Sequence, residues 1–182
     1  MWYIFNKDGV CMAMCNEMEP NQEDLKTRNE FSIVSKEKYD ICTIRYDKKL
    51  EKIVPDEAKI LKIAKASKDA ELEKTCTVFI TEKMIVNATG EELMYGYDAE
   101  DQSNLQSAMY AAEVTGSTDL KCYKPDGEKV FRTHSKEQLI TVFKTLYSRV
   151  VEGQKFIASL RAALTEAKTE GEVAKIKWQK TA

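Results

Sequence analysis

The feature that most constrains the fold of this chain is a late run of residues spaced alternately four and three apart. The run comprises Leu139, Phe143, Leu146, Val150, Gly153, Ile157, Leu160 and Leu164. All except Gly153 are large and apolar, so the spacing predicts a long helix with one continuous seam. Ser135 and Gln138 form a capping-box pattern at its start. Burial within its own domain and self-association through the 139–164 helix both explain the seam, and the sequence leaves both open.

The first 54 residues show short alternating segments separated by turn residues. We predict strands at 2–6, 10–15, 31–35, 41–46 and 50–54, and a short helix at 21–28. Asp8-Gly9 predicts a hairpin turn because glycine tolerates a positive φ angle. Pro55 is favoured in the first turn of a helix, which places the predicted domain boundary near residues 54–56.

The rest of the chain is richer in helix-forming residues. We predict a helix from 55 to about 74, strands at 76–80, 84–86, 93–97, 120–123 and 129–132, and helices at 98–116 and 169–178. Asp98 is the expected cap of the second helix and Gly116 its end, and Pro125-Asp126-Gly127 predicts a hairpin. The predicted fold is α+β, with a small β-rich N-terminal unit (1–54) followed by a helix-dominated unit with short β-hairpins (55–182).

Charge and hydropathy restrict the classes of partner. The 28 basic and 30 acidic residues give a net charge of -2, so we expect no nucleic-acid partner. No apolar run approaches the roughly 20 residues of a membrane-spanning helix, and we expect no membrane partner. The first residues, MWYIFNKDG, lack the pattern of a secretory signal, so we expect no signal peptide.

The chain shows no convincing catalytic, cofactor or metal motif. Its cysteines match neither a disulfide framework nor zinc-ligand spacing, so we expect free thiols and no metal; they are Cys11, Cys15, Cys42, Cys76 and Cys122. Strand alternation places Cys11 and Cys15 on one face. His134, the single histidine, is predicted to lie in a loop before the Ser135 cap. Without a nucleophile beside a base, or a phosphate-binding loop, we expect no enzyme and no cofactor.

Aromatic and methionine residues are concentrated in the β-rich head. They form the candidate partner-binding surface, which comprises Trp2, Tyr3, Phe5, Met12 and Met14. Methionine adapts to irregular apolar partners, and an open strand edge could accept a further strand. Packing of the same residues in a core is the alternative interpretation.

The segment Asp98–Gly116 begins D-A-x-x-Q-x-N-L, with Gln102, Asn104 and Leu105 at the defined positions. This start resembles an uncharacterised domain of phage tail-fibre and tail-fibre-assembly proteins, and the similarity extends over about residues 55–178. The first 54 residues resemble the front of tail-fibre-assembly proteins, through an aromatic strand, the Asp8-Gly9 turn and Pro20-Asn21.

The resemblance implies a non-enzymatic phage or prophage tail protein that binds a tail fibre or another tail protein. Such a protein acts as an assembly chaperone or as a tail accessory component. It implies a place in the host bacterial cytoplasm during assembly, or in the virion tail. Two alternatives stay open, a phage regulatory protein that binds a host factor and an enzyme acting on surface polysaccharide. The enzyme would need two opposed carboxylates in a groove.

Overall fold

The computed structural model describes residues 1–16 and 18–180 and has an α+β fold. The strands are β1 (Trp2–Asn6), β2 (Cys11–Cys15), β3 (Glu30–Val34), β4 (Ile44–Asp47), β5 (Lys52–Pro55), β6 (Met84–Val86), β7 (Leu93–Tyr95), β8 (Ser117–Tyr123) and β9 (Lys129–Ser135). The helices are α1 (Gln22–Thr27), α2 (Glu57–Thr81), α3 (Ala99–Thr115), α4 (Lys136–Glu166) and α5 (Glu170–Lys175). The chain divides into a first unit, Met1–Ser67 with Lys168–Val173, and a second unit, Lys68–Ala167 with Ala174–Ala182.

The division between the units falls inside helix α2, whereas the sequence predicted a boundary near residues 54–56. The sequence predicted Pro55 in the first turn of this helix. Pro55 instead ends β5, where it lies opposite Ile44. The carboxylate of Asp56 instead accepts a hydrogen bond from the Lys59 backbone nitrogen at 3.2 Å. A side-chain acceptor at this position satisfies a backbone donor that the first helical turn leaves free.

Helix α2 also contains residues 76–80, so the predicted strand there is wrong. Cys76 and Phe79 lie three residues apart and are both buried on one side of the helix. Cys76 packs with Leu72 and with Ile157 of α4 in one apolar cluster. Tertiary packing of this helical face outweighs the strand preference of the β-branched residues between them.

The first unit is built on an antiparallel sheet of order β2-β1-β3, with β4 and β5 as a separate hairpin. Its core cluster consists of Tyr3, Phe5, Cys11 and Ile44, with half-buried aromatic residues packed around it. Gly9 forms the turn before β2 with a φ of +81°, and its carbonyl accepts a 2.8 Å hydrogen bond from the Tyr46 backbone nitrogen. The first hairpin is thereby tied to strand β4.

The second unit contains an antiparallel sheet of order β6-β7-β8-β9, with α3 packed against β8 and against α4. The predicted helix signals are confirmed. Asp98 accepts a hydrogen bond from the Asp101 backbone nitrogen at 2.8 Å, and Gly116 ends α3 in the left-handed conformation. Ser135 and Gln138 form the capping box that starts α4.

The predicted seam of α4 is buried within the second unit. Leu139 and Leu146 belong to the core that includes sheet residues such as Leu93 and Leu120. Ile157, further along the helix, packs with Leu72 of α2. Gly153 is the one seam position without a side chain. Close packing of α2 against α4 explains why a glycine is present, because an added Cβ would lie 3.1 Å from Ile80 Cγ1 and 3.2 Å from Phe79 Cδ1. The glycine lets the two helices pack closely.

Candidate functional sites

Two of the five predicted surface residues are core residues. Tyr3 and Phe5 are 0% exposed, so they cannot contact a partner and the prediction is wrong for them. The reason is topological, because β1 is the central strand of its sheet and is covered along its middle residues. The Tyr3 hydroxyl accepts a 2.6 Å hydrogen bond from the Tyr39 backbone nitrogen, which holds this ring inside the unit.

The methionines of β2 do lie at the surface. Met12 is 53% exposed and Met14 is 44% exposed, while Trp2 is half-buried. Among the described residues, β2 pairs with β1 on one side only, apart from an isolated bridge between Val10 and Arg45 just before the strand. Strand β4 lies beside the start of this opposite edge. The rest of the edge pairs with no described strand, so it presents backbone hydrogen-bonding groups beside exposed thioethers.

A β-bulge changes the expected placement of the two β2 cysteines. Cys11 lies opposite Phe5 and Cys15 lies opposite Trp2, with an irregularity after Ile4. Opposed residues of an antiparallel pair share a face, and residues three apart on one strand do not. Cys11 and Cys15 thus lie on opposite faces, and the prediction that they share one is wrong, because the extra residue of a bulge shifts the alternation.

A shallow groove of about 430 Å³ borders β2 within the first unit. Cys11, Met12, Ile41, Cys42 and Ile63 form its mainly apolar lining. Lys59 and Lys62, one helical turn apart on α2, line it as well. Burial is the main factor that raises the pKa of the Cys11 thiol, which disfavours the reactive thiolate at neutral pH.

A cleft in the second unit lies between α3 and α4 and has a volume of about 680 Å³. Leu105, Met109, Ile140 and Phe143 supply apolar walls, and Tyr97 and Tyr110 supply aromatic rings. The polar lining residues are Gln102, Gln106, Glu113 and Lys136. No sequence signal identified this cleft, because its two walls come from segments that are far apart in the chain.

The single histidine was predicted to lie in a loop, but it is buried in a strand. His134 lies in strand β9 with 0% exposure. Its Nδ1 donates to the Arg132 carbonyl oxygen at 2.7 Å, since a carbonyl can only accept. Its Nε2 therefore accepts from the Tyr95 hydroxyl, also at 2.7 Å. Both ring nitrogens are satisfied in the neutral form, and burial lowers the pKa of His134.

This pair makes stability depend on pH. Unfolded His134 gains a proton as pH falls through about 6.5, whereas the folded ring resists protonation because its pKa is lowered. Below pH ~6.5 the unfolded state therefore binds more protons than the folded state. The free energy of unfolding that is present above this pH decreases as the pH falls, by up to about 1.4 kcal/mol per pH unit. Urea unfolding between pH 7 and pH 5 should show a smaller pH slope for His134→Gln than for the wild type. Equal slopes would contradict the assignment.

Arg149 is a buried cation of the second unit that sequence reasoning missed. Its guanidinium lies over the Phe79 ring at 4.5 Å and its Nη2 is 3.7 Å from a Glu82 carboxylate oxygen. Nε and Nη2 have no hydrogen-bond partner among the described residues. Burial lowers the pKa of Arg149, while Glu82 and Glu152 raise it. These carboxylates already supply negative charge, which argues against an anion site here.

The described residues contain no disulfide. All five cysteines are free thiols. No group of three His, Cys, Asp or Glu side chains within 1–16 and 18–180 could hold a metal ion. No helix in the same residues is long and apolar enough to cross a membrane. No known family model matches the chain, and no curated protein or solved structure matches it.

Proposed function

We propose that this chain is a non-enzymatic phage or prophage tail protein that binds a tail fibre through the open edge of strand β2. The proposal includes both roles that the resemblance implies, an assembly chaperone and an accessory component that stays on the fibre. The observation that carries it is that β2 pairs within its sheet with β1 alone among the described strands, with Met12 and Met14 exposed. The resemblance of the first 54 residues to tail-fibre-assembly proteins supports the choice of partner.

An open strand edge is suited to binding an extended segment of another protein. Added strands gain main-chain hydrogen bonds, and alternate side chains provide specificity. Met12 and Met14 supply flexible apolar contacts that adapt to the shape of the partner. Strand β2 also begins beside the groove lined by Ile41 and Ile63, which could receive apolar side chains of an added strand.

Lysine substitutions on β2 test this surface. We expect Met12→Lys/Met14→Lys to reduce capture of the co-expressed tail fibre at least about tenfold, because lysine on an edge disfavours strand addition. The control is Val34→Lys, which places one lysine at a 60% exposed position on β3, the other edge strand of the sheet. All variants should keep stability within about 0.5 kcal/mol of the wild type, since the sites are exposed.

Several outcomes would contradict the proposal. If the wild type does not co-purify with a fibre and does not change its solubility or trimer yield, fibre binding is wrong. If it co-purifies with a host protein instead, the alternative of a regulatory protein is favoured. If the β2 and β3 variants lose capture equally, the fibre does not bind at the β2 edge. Presence of the chain in purified particles distinguishes an accessory component from a chaperone.

A further inference from the structure

We propose that the cleft between helices α3 and α4 binds an uncharged aromatic small molecule, packed between apolar side chains and hydrogen-bonded to the Tyr97 hydroxyl. The cleft uses residues of the second unit only. The inference therefore goes beyond fibre binding by the first unit, and its test does not depend on that proposal.

The size and lining of the cleft fit a small organic ligand. Its volume of about 680 Å³ falls within the roughly 300–1,000 Å³ typical of ligand pockets. Leu105, Met109 and Ile140 supply aliphatic and thioether contacts along its walls. Such sites combine predominantly apolar walls with a few polar groups that fix orientation, which is the composition seen here.

Aromatic rings in the cleft favour a flat ligand. Tyr97, Tyr110 and Phe143 all line it. The Phe143 ring is stacked on Tyr147 with centroids 5.5 Å apart and an interplanar angle of 11°, which restricts its orientation. Tyr110 is 69% exposed although it is large and aromatic. Aromatic pairs prefer offset-stacked or edge-to-face contacts, which a planar ligand can make with these rings.

The charges at the cleft favour an uncharged ligand. The charged lining residues are Glu113 and Lys136, and they form a salt bridge with each other. A charged ligand would have to break this pair or lose its own solvation without a free counter-charge. The remaining polar residues, Gln102 and Gln106, carry neutral amides.

Tyr97 supplies the polar group that lacks a protein partner. The residue is only 7% exposed, and its hydroxyl makes no hydrogen bond with any described residue. The Tyr97 backbone carbonyl, in contrast, accepts a 2.9 Å hydrogen bond from Gln102 Nε2. Burial, together with Tyr147, raises the pKa of Tyr97, so the phenol stays protonated and able to donate. The hydroxyl is not among the buried polar atoms without a partner, so it is open to solvent at the cleft and free to donate to an acceptor of a ligand.

The test uses prodan, an uncharged aromatic fluorophore with one ketone acceptor and polarity-sensitive emission. We expect saturable one-to-one binding to the full chain with a blue shift of the emission. Tyr97→Phe should weaken binding about threefold to tenfold by removing one hydrogen bond. Tyr110→Ala should weaken it about tenfold by removing one aromatic wall. Val114→Ala is the matched control, because Val114 is 87% exposed on the same helix and does not line the cleft.

Each other outcome would overturn the proposal. Binding that is not saturable, or that is equally strong in Tyr110→Ala, places the probe elsewhere. Equal binding by Tyr97→Phe removes the hydroxyl from the site. Tighter binding of anilinonaphthalene sulfonate than of prodan shows that the site prefers an anion. Light scattering measures the oligomeric state of the wild type and of Tyr110→Ala. If the wild type is a dimer and Tyr110→Ala is a monomer, a second copy of the chain covers the cleft. Thermal unfolding of each variant confirms that it is folded.

Discussion

Replacing Leu146 with alanine is expected to destabilise the second unit by about 2–5 kcal/mol. Leu146 is 2% exposed and lies in the largest apolar cluster, between the sheet and helix α4. Its truncation removes buried methyl groups and leaves a cavity that the surrounding rigid elements cannot close. A loss of this size is comparable with a large part of the stability of an ordinary domain.

The measurement uses guanidinium unfolding in a Trp2→Phe background, in which Trp178 is the single tryptophan. Trp178 contacts Phe79 and Phe156, so its emission reports on the second unit. Val114→Ala is the control, because it truncates an aliphatic side chain of the same unit at an 87% exposed position, and it should cost under about 0.5 kcal/mol. If Leu146→Ala also costs under about 0.5 kcal/mol, Leu146 is not in a core and the seam is misassigned.

Replacing Gly9 with alanine is expected to destabilise the first unit by at least about 2 kcal/mol. Gly9 has a φ of +81°, and an added Cβ would lie 2.3 Å from the Tyr46 carbonyl oxygen. The left-handed conformation alone costs a residue with a Cβ about 1–2 kcal/mol. Relieving the collision also requires movement of β4 and weakens the hydrogen bond from the Tyr46 nitrogen to the Gly9 oxygen.

Gly127→Ala separates these two contributions. Gly127 has a φ of +91° in the turn between β8 and β9, and an added Cβ would meet no atom within 4 Å. Gly127→Ala is therefore destabilised by the unfavourable backbone conformation alone, without a steric collision. Unfolding of Gly9→Ala is followed through Trp2 in a Trp178→Phe background, and unfolding of Gly127→Ala through Trp178 in a Trp2→Phe background. If the two alanine variants lose equal stability, the packing of the first hairpin against β4 contributes nothing.

Local sequence signals predicted much of the fold because their physics is local. Asp98 and Ser135 are caps whose hydrogen bonds reach only the next helical turn, and both were identified from the sequence. Gly116 ends α3 because glycine adopts a positive φ at little cost. The strand predicted at 76–80 failed because its conformation is decided by packing against Ile157, a residue distant in the chain.

The candidate sites were less predictable for the same reason. Alternation identified β1 as a strand, but which of its residues are exposed depends on its central place in the sheet. Met12 and Met14 are exposed because β2 is an edge strand, which no residue of β2 itself indicates. The α3–α4 cleft requires Tyr110 and Phe143 to come together from separate helices. His134 was misplaced because its partner, Tyr95, lies on another strand.

The exposed thioethers of β2 make the proposed contact surface chemically sensitive. Oxidation converts methionine to its sulfoxide, a polar and chiral group that no longer packs as an apolar side chain. Met12, Met14 and Met18 are all exposed, so peroxide reaches them without unfolding of the chain. Preparations aged in air should therefore lose partner binding while keeping their thermal stability, and methionine sulfoxide reductases should restore that binding. An edge recognised through thioethers works only as long as its surroundings remain reducing.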